Sequence, residues 1–471
     1  MTDQSSKFSN LAQAKVVPIL DSGFRPAALV NKEYRSLVQG AEKAEHLAIG
    51  LERGDGSRSV YRTKVLPPDH PDAGINLPYV ERLVKFLLWQ KGGWKVTIGG
   101  SREIGEHIRA VYSSAGNRRF DSEFMGHAVY ERSFQVEVTG YDSVAEPDER
   151  SNALGRHLEG YRIGFDLGAS DRKVAAVVDG ETVYSEEVVW SPRDETDPDY
   201  HYREIMQAMK SAASHMPRVD AIGGSSAGVI IESRPMVASL FRGVPQELFE
   251  TRIKNIFIDI GKEWGVPIQV ANDGDVTALA GSMSLDANSV LGIAMGSSEA
   301  VGYVNEEGNI TGWLNELAFA PIDYNPSAPV DEWSGDRGCG AQYLTQQAVF
   351  RLAQSVGIDL KGYDTLAAKL KFVQSLLETG DERAKQVWET IGCYMGYAIA
   401  HYAEFYTIRH LLILGRVSSG IGGTIILDKA NEVLSIEFPE IAEQLELHLP
   451  DEKTRRVGQA VAAASLPKIE Q

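Results

Sequence analysis

Three short glycine turns follow apolar strands in this sequence, and their residue types suit the binding of phosphate. The first turn, DLGAS at 166–170, follows the apolar run YRIGF, and the other two begin at Gly296 and Gly415. Glycine permits positive φ and lets backbone N–H groups approach an anion closely. A carboxylate in such a turn, here Asp166, can hold Mg²⁺ through water while the amides bind phosphate. Together the turns indicate a phosphate-binding cleft.

A carboxylate at the end of another strand could perform acid–base chemistry. The strand PIQVA ends at Asn272 and Asp273, where a helix begins. A carboxylate in this place, facing a cleft, can accept the proton of a hydroxyl group that attacks a phosphate. Asn and Asp are also the preferred residues at helix N-caps, so a purely structural role for Asn272, Asp273 or the nearby Asp275 is the alternative.

Alternating strand and helix patterns must position these residues, and they predict an α/β chain. HLAIGLERGDGSRSVYRTKVL predicts two strands joined by a turn, and apolar spacing in 77–92 predicts a helix. Residues 1–35 are expected to form a loosely held arm. The turn-rich stretch 140–160 predicts a linker. The expected domains are an N-terminal α/β domain of unassigned role (1–150), a first lobe (160–275) and a second lobe (276–471), whose C-terminal helix returns to the first.

Composition excludes several classes of function. The chain has 471 residues and a formal net charge of −18 at pH 7, and such a surface repels nucleic acid and anionic lipid. Two cysteines, Cys339 and Cys393, cannot build a disulfide framework. The sequence also shows no secretory signal and no apolar run long enough to span a membrane. A cytoplasmic protein is therefore expected.

From about residue 160 to residue 465 the sequence resembles the ROK family of sugar kinases, within the actin/hexokinase/Hsp70 superfamily. Seven segments carry the resemblance in family order: DLGAS, GGSSAG, VANDGD, MGSSEAVGYV, LNELAF, RGCGAQYLT and the stretch from ERAKQVW to GRVSSG. The resemblance implies an α/β fold with two actin-like, ribonuclease H-like lobes around a cleft, preceded by the extra N-terminal domain. The activity it implies is ATP- and Mg²⁺-dependent phosphorylation of a sugar.

Carried over by position, the resemblance implies a role for each matching residue. Asp273 would be the general base, and Asp166 would hold Mg²⁺ through water. The sugar would contact Asn272, Glu316 and Gly228. The nucleotide would lie against Asp166, Gly168, Ser170, Gly296, Ser297, Gly415 and Val417. The implied cofactors are ATP and Mg²⁺, and the implied partner is a small-molecule sugar, with neither nucleic acid nor membrane; a homodimer is left open.

The sequence departs from the family pattern around the zinc motif. Of its three cysteines only Cys339 remains, Phe319 stands at the histidine position, and Ala341 stands at a second sugar-binding glutamate. We therefore expect no zinc, and a sugar or sugar derivative other than glucose, because two polar sugar contacts are lost. The aromatic residues Phe319, Trp313 and Tyr324 either shape a different sugar pocket or fill the volume of the lost zinc site.

The second phosphate turn departs as well. Its run Gly296-Ser297-Ser298-Glu299-Ala300 keeps small residues, but Glu299 adds negative charge beside an anionic ligand, unless its carboxylate points away or reaches the metal. Two functions therefore stay open: a sugar kinase, and a non-catalytic sugar- or nucleotide-binding protein on the same scaffold. DNA-binding members of the family carry an N-terminal helix-turn-helix, for which residues 1–140 show no pattern.

Overall fold

The computed structural model describes residues 2–149, 154–450 and 452–469. Residues 2–149, which we call the N-terminal unit, contain a four-stranded sheet of order β2-β1-β3-β4, in which only β3 and β4 run parallel. Its elements are α1 (Thr2–Ser9), α2 (Ala27–Gly40), β1 (Glu45–Glu52), β2 (Arg58–Val65), α3 (Asn76–Lys91), β3 (Lys95–Gly99), α4 (Arg102–Val111), α5 (Arg119–Glu123) and β4 (Gln135–Thr139). The predicted strand pair and the predicted helix at 77–92 are confirmed.

The first lobe is built on a five-stranded sheet of order β11-β8-β5-β6-β7. Strands β11, β8 and β5 are parallel, whereas β5, β6 and β7 form an antiparallel meander, and β9 and β10 form a separate hairpin. The elements are β5 (Tyr161–Leu167), β6 (Asp171–Val178), β7 (Glu181–Val189), α6 (Pro198–Ala213), β8 (Ala221–Ser226), β9 (Val229–Ile231), β10 (Arg234–Val237), α7 (Gln246–Leu248), α8 (Ile256–Trp264) and β11 (Ile268–Asn272).

The second lobe has a four-stranded sheet of order β13-β12-β14-β15. Strands β12, β14 and β15 are parallel, and β13 is antiparallel to β12. The elements are α9 (Asp273–Leu285), β12 (Val290–Met295), β13 (Glu299–Val304), α10 (Gln346–Ser355), α11 (Leu366–Glu378), α12 (Glu382–Tyr402), β14 (His410–Leu414), α13 (Ile421–Glu437), α14 (Pro439–Ala442), β15 (Glu446–His448) and α15 (Glu452–Ala464). The mixed sheets and their covering helices confirm the predicted α/β class.

The segment before β1 is held firmly against the second lobe, so the expectation of a loose arm is wrong. The backbone amides of Lys15 and Val16 donate to the Glu437 carboxylate, and the Cys393 thiol donates to the Val16 carbonyl at 3.2 Å. Phe24 is 2% exposed and packs 4.8 Å from the ring of Tyr394. Apolar side chains scattered among the polar ones bury against α12 and α13, and the local sequence does not reveal this packing.

The N-terminal unit and the second lobe share one hydrophobic core. Trp89 and Ile98 of the N-terminal unit belong to the same buried cluster as Leu291, Tyr343 and Trp388 of the second lobe. Most of the first lobe keeps a separate core beneath its own sheet, and only Val229 and Met236 of its β9–β10 hairpin join the shared core. The two units that share the core are therefore expected to move together.

A buried ion network joins the same two units. Asp336 of the second lobe lies 2.7 Å from Arg82, 2.6 Å from Arg118 and 3.4 Å from Lys85, and Lys85 also pairs with Asp121 at 2.9 Å. We call these five residues the buried ion network. Burial alone would raise the pKa of Asp336, but the three cations hold it well below its usual range.

The C-terminal helix α15 packs on the first lobe. A Cβ atom at Gly223 would overlap the carbonyl oxygen of Ala463, so only glycine allows β8 to approach the helix this closely. The guanidinium of Arg162 donates to the carbonyl oxygen of Pro467 at 2.7 Å, just beyond the helix. None of the helices in the described part of the chain has the length and apolar character needed to cross a lipid bilayer.

Candidate active site

At the junction of β11 and α9, Asn272 caps the helix and Asp273 is the candidate base. The Asn272 side chain accepts the Gly274 amide at 2.7 Å and thereby caps α9, while its Nδ2 donates to the Gly228 carbonyl at 2.7 Å. Asp273 is the first residue of α9, and its carboxylate accepts only a longer bond of 3.1 Å from the Gly274 amide. Asn272 therefore ties the turn at Gly228 to the start of α9, and Asp273 is not needed as the helix cap.

Asp273 lies in an environment that brings its proton affinity near neutrality. Burial, together with the negative charge of Asp166, raises the pKa of Asp273 to about 6. Asp166 is itself 6% exposed and accepts the Ser225 hydroxyl at 2.7 Å. The structure thus brings Asp166 and Asp273, on β5 and α9, close enough for their charges to interact.

Lys173 is a site residue that the sequence interpretation missed. Its Nζ lies 3.2 Å from Asp166 and 3.1 Å from Asp171, and Lys173 stands directly opposite Asp166 in the β5–β6 ladder. Counting back across the predicted hairpin turn would have revealed this pairing. An ammonium group at this position offsets the charge of Asp166 and adds a cation beside the first phosphate turn.

The N-terminal unit holds the segment that carries Glu316. The amides of Asn315 and Glu316 donate to the carbonyls of Gln90 and Trp89, both at 3.0 Å, at the end of α3. Burial, then the charges of Asp273 and Asp275, raise the pKa of Glu316 to about 8. Glu316 is therefore mainly a neutral acid at pH 7, able to donate a hydrogen bond.

Asp275 supports this segment from below. Its carboxylate accepts the Asn315 amide group at 2.9 Å and the Tyr303 backbone N–H at 3.3 Å. The Tyr406 hydroxyl donates to Asn315 at 2.9 Å, and Asn315 has a positive φ of 53°. Asp275 is consequently not a helix cap but an anchor for a strained residue next to Glu316.

The second phosphate turn keeps its hydroxyl groups exposed and its carboxylate hidden. Ser297 lies on the surface, and the Gly296 amide donates to the Ser298 carbonyl at 3.0 Å within the turn. Glu299 is 3% exposed and accepts the Tyr402 hydroxyl at 3.2 Å. Burial raises the pKa of Glu299 to about 8, so it carries little charge at pH 7 and points away from the turn.

The turn after β14 packs directly on the second phosphate turn. Gly415 has a φ of 95°, and a Cβ atom there would meet the Met295 backbone, so glycine is required. Val417 is fully buried; its amide donates to Met295 at 3.2 Å and its carbonyl accepts the Trp388 indole at 2.9 Å. Gly415 thus lies at the turn surface, while Val417 supports the turn from inside.

The first phosphate turn is a tight hairpin between β5 and β6. The Gly168 amide donates to the Asp171 carbonyl at 2.9 Å, and the Gly168 carbonyl accepts the Trp190 indole at 2.8 Å. Gly168 does not adopt positive φ, in contrast to the conformation expected for such a turn, because the hairpin closes without it. Ser170 is exposed at the tip.

Aromatic residues from the N-terminal unit surround Phe319. Its ring lies 4.3 Å from Trp89, 5.7 Å from Phe120 and 6.2 Å from Phe124, measured between centroids. Tyr324 is buried at 5.4 Å from the ring of Phe8. These aromatic residues fill the interface with the N-terminal unit, which favours the space-filling interpretation for Tyr324, whereas Phe319 is only half-buried.

A cavity of about 580 Å³ opens beside this aromatic group. Phe120, Phe124 and His127 of the N-terminal unit line one side, and Ala238 and Arg242 of the first lobe lie on the other. The wall at Ala238 packs against Gly228, where a Cβ atom would overlap the Val237 carbonyl. The cavity therefore adjoins the turn at Gly228.

The environment of Cys339 disfavours zinc. Its thiol is fully buried, lies 3.7 Å from Asp336, and has its pKa raised to about 12 by burial. A zinc ligand must lose this proton, and the three cations of the buried ion network repel a metal ion. Ion pairs and aromatic packing occupy the region in which the family pattern has its zinc motif.

The surroundings of Asp166 fit a magnesium ion held through water. Ser225 and Lys173 use part of the carboxylate, which offers about four lone-pair sites when ionised. Mg²⁺ usually keeps several waters and takes one or two carboxylates together with substrate phosphates. Asp166, with Asp171 nearby, provides such a donor set.

Comparisons with known proteins concern the fold and the family of the chain. Among curated proteins no sequence matches the chain. Among solved structures, a ROK hexokinase from Thermus thermophilus has 18% identity and a TM-score of 0.50, and the match covers 64% of this chain and 97% of that one. A ROK family transcriptional regulator, a homologue of the E. coli MLC protein, has 20% identity and a TM-score of 0.52, with 66% and 79% covered.

At these identities the likeness shows a shared fold, and the predicted arrangement of two lobes is confirmed. The ROK family model matches residues 162–422, more than half of the chain, and confirms the resemblance seen in the sequence. The chain belongs to the ROK family.

Proposed function

We propose that this protein is a sugar kinase, which transfers a phosphoryl group from ATP, with Mg²⁺, to a hydroxyl group of a sugar derivative. One observation carries the proposal: Asp273, the first residue of α9, does not serve as the helix cap, lies next to Asp166 and has its pKa raised to about 6. A general base is most effective when its pKa lies near the working pH. Membership of the ROK family supports the same activity.

In the proposed mechanism Asp273 accepts the proton of the attacking sugar hydroxyl. Asn272 keeps Asp273 at the helix start and holds the Gly228 turn against it. Glu316, protonated at pH 7, donates a hydrogen bond to a sugar oxygen. Asp166 would hold Mg²⁺ through water, and the ion when bound neutralises charge on the transferred phosphate.

The exposed atoms of the two phosphate turns would bind the nucleotide. Ser170 at the tip of the first turn and Ser297 in the second both lie on the surface. The hidden, mainly neutral Glu299 removes the repulsion expected from the sequence. Lys173 adds positive charge beside Asp166. These features favour an anionic ligand between the turns.

A sugar derivative larger than glucose fits this site best. Phe319 replaces a polar contact, and the adjoining cavity of about 580 Å³ has room for a substituent. Phe120 and Phe124 offer apolar faces to it from the N-terminal unit, while Arg242 of the first lobe provides a positive charge on the other side. The N-terminal unit would thus contribute to substrate choice.

The non-catalytic binding protein is the second candidate, and the position of Lys173 favours it. The ammonium group occupies one oxygen of Asp166 and would have to shift if water-bound Mg²⁺ used that oxygen. Under this alternative the cleft binds sugar or nucleotide without phosphate transfer. Activity measurements separate the two candidates.

Thermal-shift measurements with ATP, MgCl₂ and a panel of sugars would find the ligands. A ligand at 100 times its Kd stabilises the folded state by roughly 2.7 kcal/mol, which such a measurement resolves. ADP release then reports phosphate transfer. Sugar and nucleotide binding in the wild-type protein without any ADP release would support the binding protein.

The variant Asp273→Asn tests the mechanism directly. We expect kcat to fall by about 100-fold or more, because the amide cannot accept the proton, while the Kd values for sugar and ATP change little. The exposed Asp364 provides a matched control, and Asp364→Asn should leave both quantities unchanged. Equal turnover in Asp273→Asn and the wild type would contradict the assigned base.

A further inference from the structure

Two imidazoles and a carboxylate meet on neighbouring parallel strands of the second lobe. In the β14–β15 ladder His410 pairs with Glu446, and Leu412 pairs with His448. Paired residues of parallel strands point to the same face, and residues two apart on one strand share a face as well. His410, Glu446 and His448 therefore project from one face of the sheet.

The contacting atoms of these side chains surround a single point. His410 Nδ1 lies 3.1 Å from His448 Nε2, and Glu446 Oε2 lies 3.6 Å from the first and 3.8 Å from the second. The centre of the circle through these atoms is about 2.0 Å from each of them, within the usual Zn–N and Zn–O ranges of about 2.0–2.2 Å.

From this arrangement we propose that His410, Glu446 and His448 form a binding site for a divalent transition-metal ion of the zinc class. Two neutral imidazoles with one carboxylate are a recurrent zinc donor set, which leaves a fourth position for water. Mg²⁺ and Ca²⁺ prefer oxygen ligands and fit this set poorly. Among the residues that the structure describes, no other three His, Cys, Asp or Glu side chains bring ligand atoms within 4.8 Å of one another.

Hydrogen bonds among the three side chains explain their arrangement less well than a shared metal ion does. The two rings are within hydrogen-bond distance of each other, but the Glu446 oxygen lies at 3.6 and 3.8 Å, beyond a hydrogen bond to either ring. Glu446 is 71% exposed, whereas the rings are 22% and 24% exposed. The carboxylate thus faces both rings without bonding to them, as a ligand to a central ion would.

The site is separate from the proposed kinase cleft and from the Cys339 segment. His410 is the first residue of β14. Gly415, where the nucleotide is proposed to bind, follows five residues later, about 17 Å along the strand. Strand β15 has only three residues and forms the edge of the sheet. A metal ion bound here would fasten this short edge strand to β14.

Titration calorimetry with ZnCl₂ on the full chain, after removal of metal with a chelator, tests the proposal. We expect one Zn²⁺ per chain and a rise in Tm on zinc addition. Co²⁺ should give the visible absorption of a four-coordinate site. Absence of stoichiometric zinc binding by the wild-type protein would overturn the proposal.

Two variants test the ligands, and a third is the control. His448→Ala and Glu446→Gln should each weaken zinc binding, the histidine change by more than about 100-fold, beyond the loss typical of groups that only orient ligands. Since Glu446 is exposed, its substitution does not threaten folding. His215→Ala, an exposed histidine of the first lobe, is the control and should bind zinc as the wild type does. Unchanged zinc affinity in both His448→Ala and Glu446→Gln would refute the assignment.

Discussion

Replacing Glu299 by glutamine should stabilise the protein, increasingly so at higher pH. The side chain is 3% exposed, its Oε1 accepts the Tyr402 hydroxyl, and its Oε2 has no hydrogen-bond partner. Burial raises the pKa from 4.5 to about 8, so the folded state binds the proton more tightly than the unfolded state does. Between pH 4.5 and about pH 8 the folded state holds more protons than the unfolded state, so its stability falls as the pH rises.

The magnitude follows from the pKa difference. At pH 7 this carboxyl is ionised in the unfolded state and mainly protonated in the folded state. Because pH 7 lies about 2.5 units above the unfolded pKa, the raised pKa costs the folded state about 3 kcal/mol. Glutamine keeps the size of the side chain and the oxygen that accepts from Tyr402, but it does not ionise. We therefore expect the advantage of Glu299→Gln to grow by about 3 kcal/mol between pH 5 and pH 8.

Urea denaturation followed by tryptophan fluorescence, at pH 5, 6, 7 and 8, measures this difference in the free energy of unfolding. Glu378→Gln, at an exposed position at the end of α11, is the matched control and should differ little from the wild type at every pH. A Glu299→Gln variant that is less stable at pH 8 than at pH 5, relative to the wild type, would show that Glu299 is ionised in the folded protein. The negative charge of Glu299 would then lie beside the second phosphate turn.

The remaining predictions concern the pH profile, the buried ion network and the C-terminal helix. The value of kcat/KM should rise through about pH 6 as Asp273 loses its proton and fall through about pH 8 as Glu316 does; a flat profile from pH 5 to 9 would contradict these roles. Asp336→Asn should lower the free energy of unfolding by about 3–5 kcal/mol, measured in urea, because buried cations lose their partner; a loss below about 1 kcal/mol would contradict the network's importance. Gly223→Ala should detach α15, visible as faster hydrogen exchange in 458–469, and unchanged exchange would refute the close packing at Ala463.

Local patterns in the sequence predicted what depends on neighbouring residues. The strand pair at β1 and β2 and the helix α3 follow from alternation, a glycine turn and apolar spacing, and each is present. The end of β11 was likewise predictable, because a strand followed by Asn272 and Asp273 indicates either a helix cap or a carboxylate available for chemistry. The structure assigns the cap to Asn272. The catalytic role of Asp273 stays a prediction.

Features that depend on distant residues were not predictable. The sequence predicts that Glu299 places charge beside a phosphate, but the side chain is buried. Its partner Tyr402 is 103 residues away in the chain, so no local pattern indicates this burial. The segment that carries Glu316 is held by carbonyls of α3, more than 200 residues earlier. Lys173 is the exception, since the register of a short hairpin could have placed it opposite Asp166.

The attachment of the N-terminal segment to α13 has a consequence for synthesis of the chain. The amide of Val16 pairs with Glu437, 421 residues later. At translation rates of about 5–20 residues per second, this segment waits roughly 20–80 s for its partner to leave the ribosome. During that interval Phe24, which is buried in the finished protein against Tyr394 and Tyr397 of α12, lacks these partners. This segment is thus made long before the helices that hold it and is among the last to reach its final place.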